Sequence, residues 1–402
     1  MKYIVLLCDG MSEELVNDMP TPMELAHKPN MDRLAKSAEI GLCHTVPDGM
    51  SPGSDIANLS VMGYDPARYY TGRSPLEAVS MGISLKDGDL ALRCNLVSLS
   101  DNDDYRQRTM LDYSGGDIST EDAAELIAAV NGNLKTSEFE FFSGVSYRHC
   151  LVWHNAPERE ALGKLTPPHD ISGRVIGEHL SQNATAQPLI DMMKRSPEFL
   201  QNHPVNARRA AEGHTPANSI WLWGQGTRPA LPAFKELYGK TGAVISAVDL
   251  LRGIAICAGL NAPYVPGATG YIDTNFEGKT QAALDELKRG DFVYIHVEAP
   301  DECGHRGERD LKKKAIELID ERILGPLLKG LEEMREDYRI AILPDHPTPL
   351  CTKTHSSAPV PYLLYQSSRA TGGGGIFTEA GAKKAGAIIA QGHTLMNRLI
   401  NE

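Results

Sequence analysis

The chain has 402 residues, is 42% hydrophobic and 23% charged, and so has the balance of a soluble globular protein with room for a large core and two domains. A formal net charge of −12 with no dense Lys/Arg tract argues against nucleic-acid binding. No segment approaches the roughly eighteen apolar residues of a membrane span, and seven dispersed cysteines (Cys8, Cys43, Cys94, Cys150, Cys257, Cys303, Cys351) without a CxxC pair point to a reducing compartment, the cytoplasm, rather than a disulfide framework.

Tyr3-Ile-Val-Leu-Leu-Cys8 is an apolar run without alternation, as in a strand covered on both faces of a parallel sheet. The run is too short for a signal h-region. It ends in Asp9-Gly10, which reads either as a plain turn or as a carboxylate at the strand end, where open α/β sheets place ligands. After the prolines at 20, 22 and 29, Asn30 is placed to cap a helix whose buried stripe is Met31, Leu34, Ala35 and Ala38. A Pro/Gly-rich loop then runs into a helix at Ser54. Ser54 or Asp55 serves there as an N-cap, or Ser54 Oγ sits at a helix N-terminus beside a bound phosphate and a metal that would let it ionise and attack. Arg73, at a further loop-to-helix junction, is an anion clamp or a surface ion pair.

From about residue 85 the pattern becomes α+β. Residues 91–97, 139–142 and 147–153 read as shorter, half-buried strands around a helix starting near Thr120, whose Glu121 and Asp122 suit a first turn. The organisation expected is therefore an α/β core over 1–84 and 213–402 with an inserted smaller domain at 85–212. Arg93, Arg148, His169, Asp170, Arg208 and Arg209 lie in the insert as candidate oxyanion or phosphate contacts, each with a structural alternative.

The α/β pattern resumes near Ser219 with strands at 243–246, 292–295, 338–343 and 361–365 and helices between them. Gly325-Pro326 interrupts a long amphipathic stretch at 310–335. The run Gly372–Gly375 matches no P-loop, since no Gly-Lys-Ser/Thr follows, and a C-terminal helix is expected over 382–400. The strand 292–295 leads into Asp301-Glu-Cys-Gly-His305. An i,i+4 pair projects from one helical face, as a solvated surface or as a hard oxygen and an imidazole nitrogen for a divalent metal. The strand 338–343 ends in Asp345-His346, and His355 lies in the loop that follows. Ends of parallel strands meet at one sheet edge. Three aspartates and three histidines there, with a loop serine, suffice for two metals with positions open to substrate oxygens.

On these residues the chain resembles the cofactor-independent (2,3-bisphosphoglycerate-independent) phosphoglycerate mutases of the archaeal type, within the alkaline phosphatase superfamily. The resemblance covers essentially the whole chain. It rests on Asp9-Gly10, Pro52-Gly-Ser-Asp-Ile-Ala-Asn-Leu59, Gly63-Tyr-Asp-Pro66, Tyr70-Thr-Gly-Arg73, Asp301 to His305, Asp345-His346 and Thr354-His355. It implies an alkaline-phosphatase-like core with a largely parallel sheet flanked by helices, and an α+β lid that grips substrate and excludes water. It also implies one divalent metal on Asp9, Ser54, Asp345 and His346 and another on Asp301, His305 and His355. Manganese comes first, with Zn, Mg, Co or Fe as other occupants, and no bisphosphoglycerate is needed. Ser54 would become phosphoserine while a small phosphorylated metabolite, 3- or 2-phosphoglycerate, is interconverted in glycolysis; homo-oligomerisation is left open.

One stretch departs from the pattern. Where the archaeal mutases are expected to carry Asp-Arg-Arg-Ala-Gly-Arg, this chain has Leu111-Asp-Tyr-Ser-Gly-Gly-Asp117, which removes guanidiniums suited to bidentate anion contacts. In this it resembles a bacterial subgroup proposed to be homoserine kinases, so phosphoryl transfer to homoserine stands as the alternative. A metal-dependent phosphatase and a catalytically inactive binding protein complete the set; no Cys-x-Pro-x-Arg sulfatase signature is present.

Overall fold

The computed structural model describes residues 1–15, 19–370 and 372–402. In chain order the strands are β1 (Lys2–Cys8), β2 (Glu39–Cys43), β3 (Leu90–Leu99), β4 (Met110–Asp112), β5 (Phe139–Val145), β6 (Arg148–Trp153), β7 (Ser219–Gly226), β8 (Gly242–Ile245), β9 (Phe292–Val297), β10 (Tyr338–Leu343), β11 (Val360–Gln366) and β12 (Ala387–Ile389). The chain divides into two compact units: Met1–Tyr70 with Ala230–Glu402, and Thr71–Pro229.

The first unit is α/β, built on a sheet of order β12-β2-β11-β10-β1-β9-β8. Pairings of β1 with β9 and β10, of β8 with β9 and of β2 with β12 are parallel; β11 runs antiparallel to β10 and to β2. Every residue of β1 and β9 is buried, which explains why both read as unbroken apolar runs. The helices Phe276–Arg289 and Arg309–Ile319 cover one face and contribute Phe276, Ala283, Leu287, Ala315, Ile316 and Ile319 to its core. Because β1, β9 and β10 are parallel neighbours, their C-terminal ends emerge together. The residues that follow are Asp9, the Ala299–Arg306 helix and Asp345-His346.

The second unit has its own sheet, of order β4-β3-β6-β5 with β7 also pairing β3, all antiparallel. The Thr120–Leu134 and Gln187–Leu200 helices bury Leu126, Ile127, Val130, Leu189 and Met193 in its core. The unit begins at Thr71 rather than 85 and ends at Pro229 rather than 212. The Ser74–Ser80 helix packs on β3 and β7, and β7 completes the sheet through its pairing with β3, so both belong with the insert.

Several local expectations need correction. Asn30 does not cap the Pro29–Ala35 helix; it lies within it. The first-turn N–H groups of Asn30 and Met31 instead donate to the Asp320 carboxylate at 3.1 and 2.8 Å, a cap supplied from far along the chain. The next unit's long helix does start at Thr120, with Ser119 as its cap. Gly325-Pro326 does not break the 310–335 stretch: a π-helical turn, Asp320–Leu324, carries it onward, with Pro326 tolerated in the first turn of Gly325–Met334. The C-terminal helix is not continuous. Gly386 takes a left-handed conformation (φ +77°), ends Glu379–Ala385, and lets β12 pair with β2 before the Leu395–Asn401 helix.

Candidate functional site

Asp9, Ser54, Asp301, His305, Asp345, His346 and His355 all belong to the first unit, and the fold draws them together. Asp9 is 1% exposed; its Oδ2 lies 2.8 Å from His296 Nε2, and His296 Nδ1 lies 3.1 Å from Ser246 Oγ. Its other oxygen, Oδ1, is buried with no hydrogen-bond partner among the described residues, 3.8 Å from His346 Nε2. Asp345 Oδ1 accepts the N–H of Gly10 at 3.2 Å and of His346 at 2.9 Å, and its Oδ2 lies 3.2 Å from His346 Nε2. Ser54 is the first residue of the Ser54–Val61 helix, with Gly53 in the capping position, so its hydroxyl is not spent on a cap. Its Oγ points to His346 Nε2 at 3.2 Å.

Asp301 and His305 share one face of the Ala299–Arg306 helix, with Asp301 Oδ2 3.2 Å from His305 Nε2. Asp301 Oδ1 accepts from Thr348 Oγ1 and lies 3.5 Å from His355 Nε2. The Nε2 atoms of His305 and His355 face each other at 2.9 Å, and the His346 and His355 rings stack with centroids 3.9 Å apart. Ligand atoms of Asp9, Asp345 and His346 lie within 4.8 Å of one another, as do those of Asp301, His346 and His355. His346 thus stands in both groups, whereas the sequence resemblance assigns it to the first alone.

The electrostatics of the cluster are set by burial and by the charges its members place on one another. Burial, then the charges of Asp345, Asp301 and Glu298, hold the Asp9 carboxyl well above its ordinary range. The hydrogen bond that His305 donates to the Asp301 carboxylate raises His305 to about 9. Burial works against the Asp301 anion, but His305, His355 and His346 together pull it well below the usual carboxylate range. Asp9 and His305 are thus both shifted toward their protonated forms, where Asp9, Asp301 and Asp345 converge. The orphaned Asp9 oxygen and the mixed carboxylate–imidazole donor set fit a divalent metal that would replace those protons.

Several residues here were not singled out from the sequence. His296 orients Asp9; burial takes it down to about 3, so it is a neutral imidazole. Thr348 holds Asp301, and buried Lys312 donates to the Thr348 carbonyl at 2.8 Å. Asn58 joins Asp345 to the Ser54 helix. A histidine inside an otherwise apolar strand was the one available signal, for His296. Gly10 has a steric role: at φ +61°, an added Cβ would lie 2.6 Å from Asp301 Cα. Gly10→Ala is expected to cost about 2–4 kcal/mol from left-handed strain plus overpacking, read as a lowered thermal midpoint.

In the second unit, Arg73, Arg93, Arg148 and His169 come into one neighbourhood. Glu77 receives Arg73 Nε at 2.8 Å and a forked pair from Arg93 at 2.8 and 2.9 Å. Burial pushes the Glu77 carboxyl up, but Arg93 and Arg73 bring it below its ordinary value. The Arg93 guanidinium lies 4.7 Å from the Trp223 ring centroid, and His169 packs edge-on against Trp223. Tyr113, in the 111–117 stretch, touches His169 and Tyr147, and Arg148 lies over Tyr147. Burial depresses His169, and Arg93 and Arg73 act in the same direction. Asp170 lies beside His169 at 3.6 Å. Arg208 and Arg209 are elsewhere. Arg208 pairs with Asp122, and buried Arg209 donates to the carbonyls of Gly115 and Thr215 at 2.7 and 3.1 Å, as a staple of the 111–117 turn.

The family described as 2,3-bisphosphoglycerate-independent phosphoglycerate mutase matches residues 35–206, and that described as Type I phosphodiesterase / nucleotide pyrophosphatase matches residues 174–356. A probable 2,3-bisphosphoglycerate-independent phosphoglycerate mutase of Geobacter sulfurreducens is 51% identical over 100% of both chains, and a 2,3-bisphosphoglycerate-independent phosphoglycerate mutase of Methanothrix thermoacetophila is 48% identical, also over 100% of both. Among solved structures, a Pyrococcus horikoshii protein aligns with a TM-score of 0.82 at 29% identity, covering 100% of this chain and 97% of its own. The cofactor-independent phosphoglycerate mutase of Thermoplasma acidophilum aligns with a TM-score of 0.63 at 25% identity, covering 99% and 98%. With end-to-end relatives at this level of identity, the chain belongs to the 2,3-bisphosphoglycerate-independent phosphoglycerate mutase family of enzymes.

Proposed function

We infer that the chain interconverts 3-phosphoglycerate and 2-phosphoglycerate through a phosphoryl group carried on Ser54, without bisphosphoglycerate. The observation that carries the reading is the Ser54 hydroxyl, uncapped and 3.2 Å from His346, at the edge of a carboxylate–imidazole cluster with an orphaned buried oxygen. Full-length relatives named as mutases at 45–51% identity support the same substrate.

Asp9, Ser54, Asp345 and His346 are proposed to hold one divalent cation and Asp301, His305 and His355 a second, manganese first, with His346 within reach of both. Bound there, such cations would lower the serine hydroxyl pKa and neutralise phosphoryl oxygens as charge develops. Ser54 Oγ forms a bond to phosphorus as the ester O–P bond of the substrate breaks, and the serine proton ends on the freed hydroxyl. The neighbouring glycerate hydroxyl then attacks the phosphoserine, breaking the Ser54 O–P bond and returning a proton to the serine. Water must be kept out, since its attack would release inorganic phosphate.

Arg73, Arg93, Arg148 and His169 are proposed as the anion-gripping element, in which Glu77 and the Trp223 face fix the direction of the Arg93 guanidinium. Arg208 and Arg209 are left out of this set, since Asp122 and backbone carbonyls occupy them. Arg93→Lys keeps the charge and loses the fork and the planar stack. KM for 3-phosphoglycerate is expected to rise about tenfold, the scale of one charged hydrogen bond, with kcat within about threefold, measured by steady-state kinetics.

The cytoplasm is the proposed location: all seven cysteines are free, and no described helix is long and apolar enough to cross a membrane. The reaction is tested by assaying the purified protein side by side with 3-phosphoglycerate, coupled to enolase, and with homoserine plus several phosphoryl donors. Turnover is expected in the first and no phosphohomoserine in the second; the reverse outcome would move the chain to the homoserine reading.

A further inference from the structure

Asn58 lies one helical turn after Ser54 and is fully buried. Its Nδ2 donates to the Ser54 carbonyl at 2.9 Å and to Asp345 Oδ2 at 2.9 Å. Its Oδ1 accepts the hydroxyl of Tyr294, a fully buried residue of β9, at 2.6 Å. Both N–H groups and the carbonyl oxygen of one side chain are therefore used, on three separate elements. Turning the amide over would set Oδ1 against two acceptors, Asp345 Oδ2 and the Ser54 carbonyl, so its direction is fixed. Burial keeps the Tyr294 phenol protonated and able to donate. A tyrosine hydroxyl and an asparagine in a dry interior are costly unless they are fully paired, and here the pairing ends on the serine helix and on a carboxylate of the cluster.

We propose that Tyr294 and Asn58 form a positioning pair that couples the Ser54 helix to Asp345, holding the serine hydroxyl and the Asp345 carboxylate at a set separation. This rests on the roles proposed above for Ser54 and Asp345. Neither residue touches the reacting atoms. Tyr294 acts through Asn58, and Asn58 acts by holding Asp345 Oδ2 with a 2.9 Å hydrogen bond while that oxygen lies 3.2 Å from His346 Nε2. Partners of this kind, one bond removed from a metal, typically change affinity or rate by about 10- to 100-fold when lost.

The test uses the full chain with Tyr294→Phe, Asn58→Ala and the double variant. Three readouts are taken: Mn2+ affinity by titration calorimetry, steady-state kcat and KM, and the thermal midpoint. Tyr294→Phe keeps the ring that fills the core and is the variant least exposed to misfolding. Each single variant is expected to weaken Mn2+ binding and lower kcat about tenfold, with KM within twofold. The double variant should be no worse than Asn58→Ala, because Tyr294 works only through that amide. Wild-type Mn2+ affinity and kcat in Tyr294→Phe, or losses that multiply in the double variant, would overturn the proposal. If the wild-type protein turned over no phosphoglycerate, the assigned reaction would fail while the Mn2+ affinities and their non-additivity still decided the positioning pair.

Discussion

Ser54→Ala is expected to leave the protein folded and to abolish phosphoenzyme formation, with mutase turnover falling on the order of 10^4-fold or more. The fold should survive because Ser54 Oγ makes no cap; Gly53 holds the capping position, and alanine is the best helix former at the position that follows. Among the described residues that oxygen hydrogen-bonds only with His346, a side chain of the same cluster. The loss should therefore appear in chemistry alone: a thermal midpoint near wild type, no radiolabel retained from labelled 3-phosphoglycerate, and no turnover. Persistent labelling at the wild-type level would mean that another residue is the nucleophile.

Stripping divalent cations with a chelator is expected to stop turnover and also to destabilise the first unit. A ligand present at about 1,000 times its dissociation constant contributes roughly 4 kcal/mol to folding, so the midpoint should fall on chelation and recover with Mn2+. The pH dependence has a definite sign. Asp9 and His305 both have folded-state values above their ordinary ones, His305 at about 9. In the metal-free protein their protons add stability at low pH, and that contribution is lost as pH rises through the folded values. A cation must displace those same protons, so its binding tightens over the same range. The gap in midpoint between Mn2+-loaded and chelated protein should therefore widen from pH 5 toward pH 9. A midpoint indifferent to both chelator and pH would contradict the metal assignment.

The parts of this site that could be read in the sequence share a cause. β1, β9 and β10 are buried on both faces, so they appear as apolar runs, and a polar residue just past such a run stands out. That is how Asp9, Asp301, His305, Asp345 and His346 became visible. His296, Asn58 and Thr348 act through partners that are distant in sequence, and no local spacing marks them. The Asn30 position failed for the same reason: the cap on that helix comes from Asp320. Arg208 and Arg209 read as anion contacts because a guanidinium looks alike in sequence whether it faces a ligand or, like Arg209, a ring of carbonyls. The extent of the second unit was hidden because the Ser74–Ser80 helix and β7 have the same apolar signature as elements of the core.

The most direct measurement is 31P NMR of 3-phosphoglycerate incubated with the purified protein and Mn2+, with no bisphosphoglycerate added. The expected result is growth of the 2-phosphoglycerate resonance to an equilibrium mixture at constant total ester phosphate. Accumulation of inorganic phosphate without 2-phosphoglycerate, or an unchanged spectrum with every divalent metal tried, would contradict phosphoryl return from Ser54.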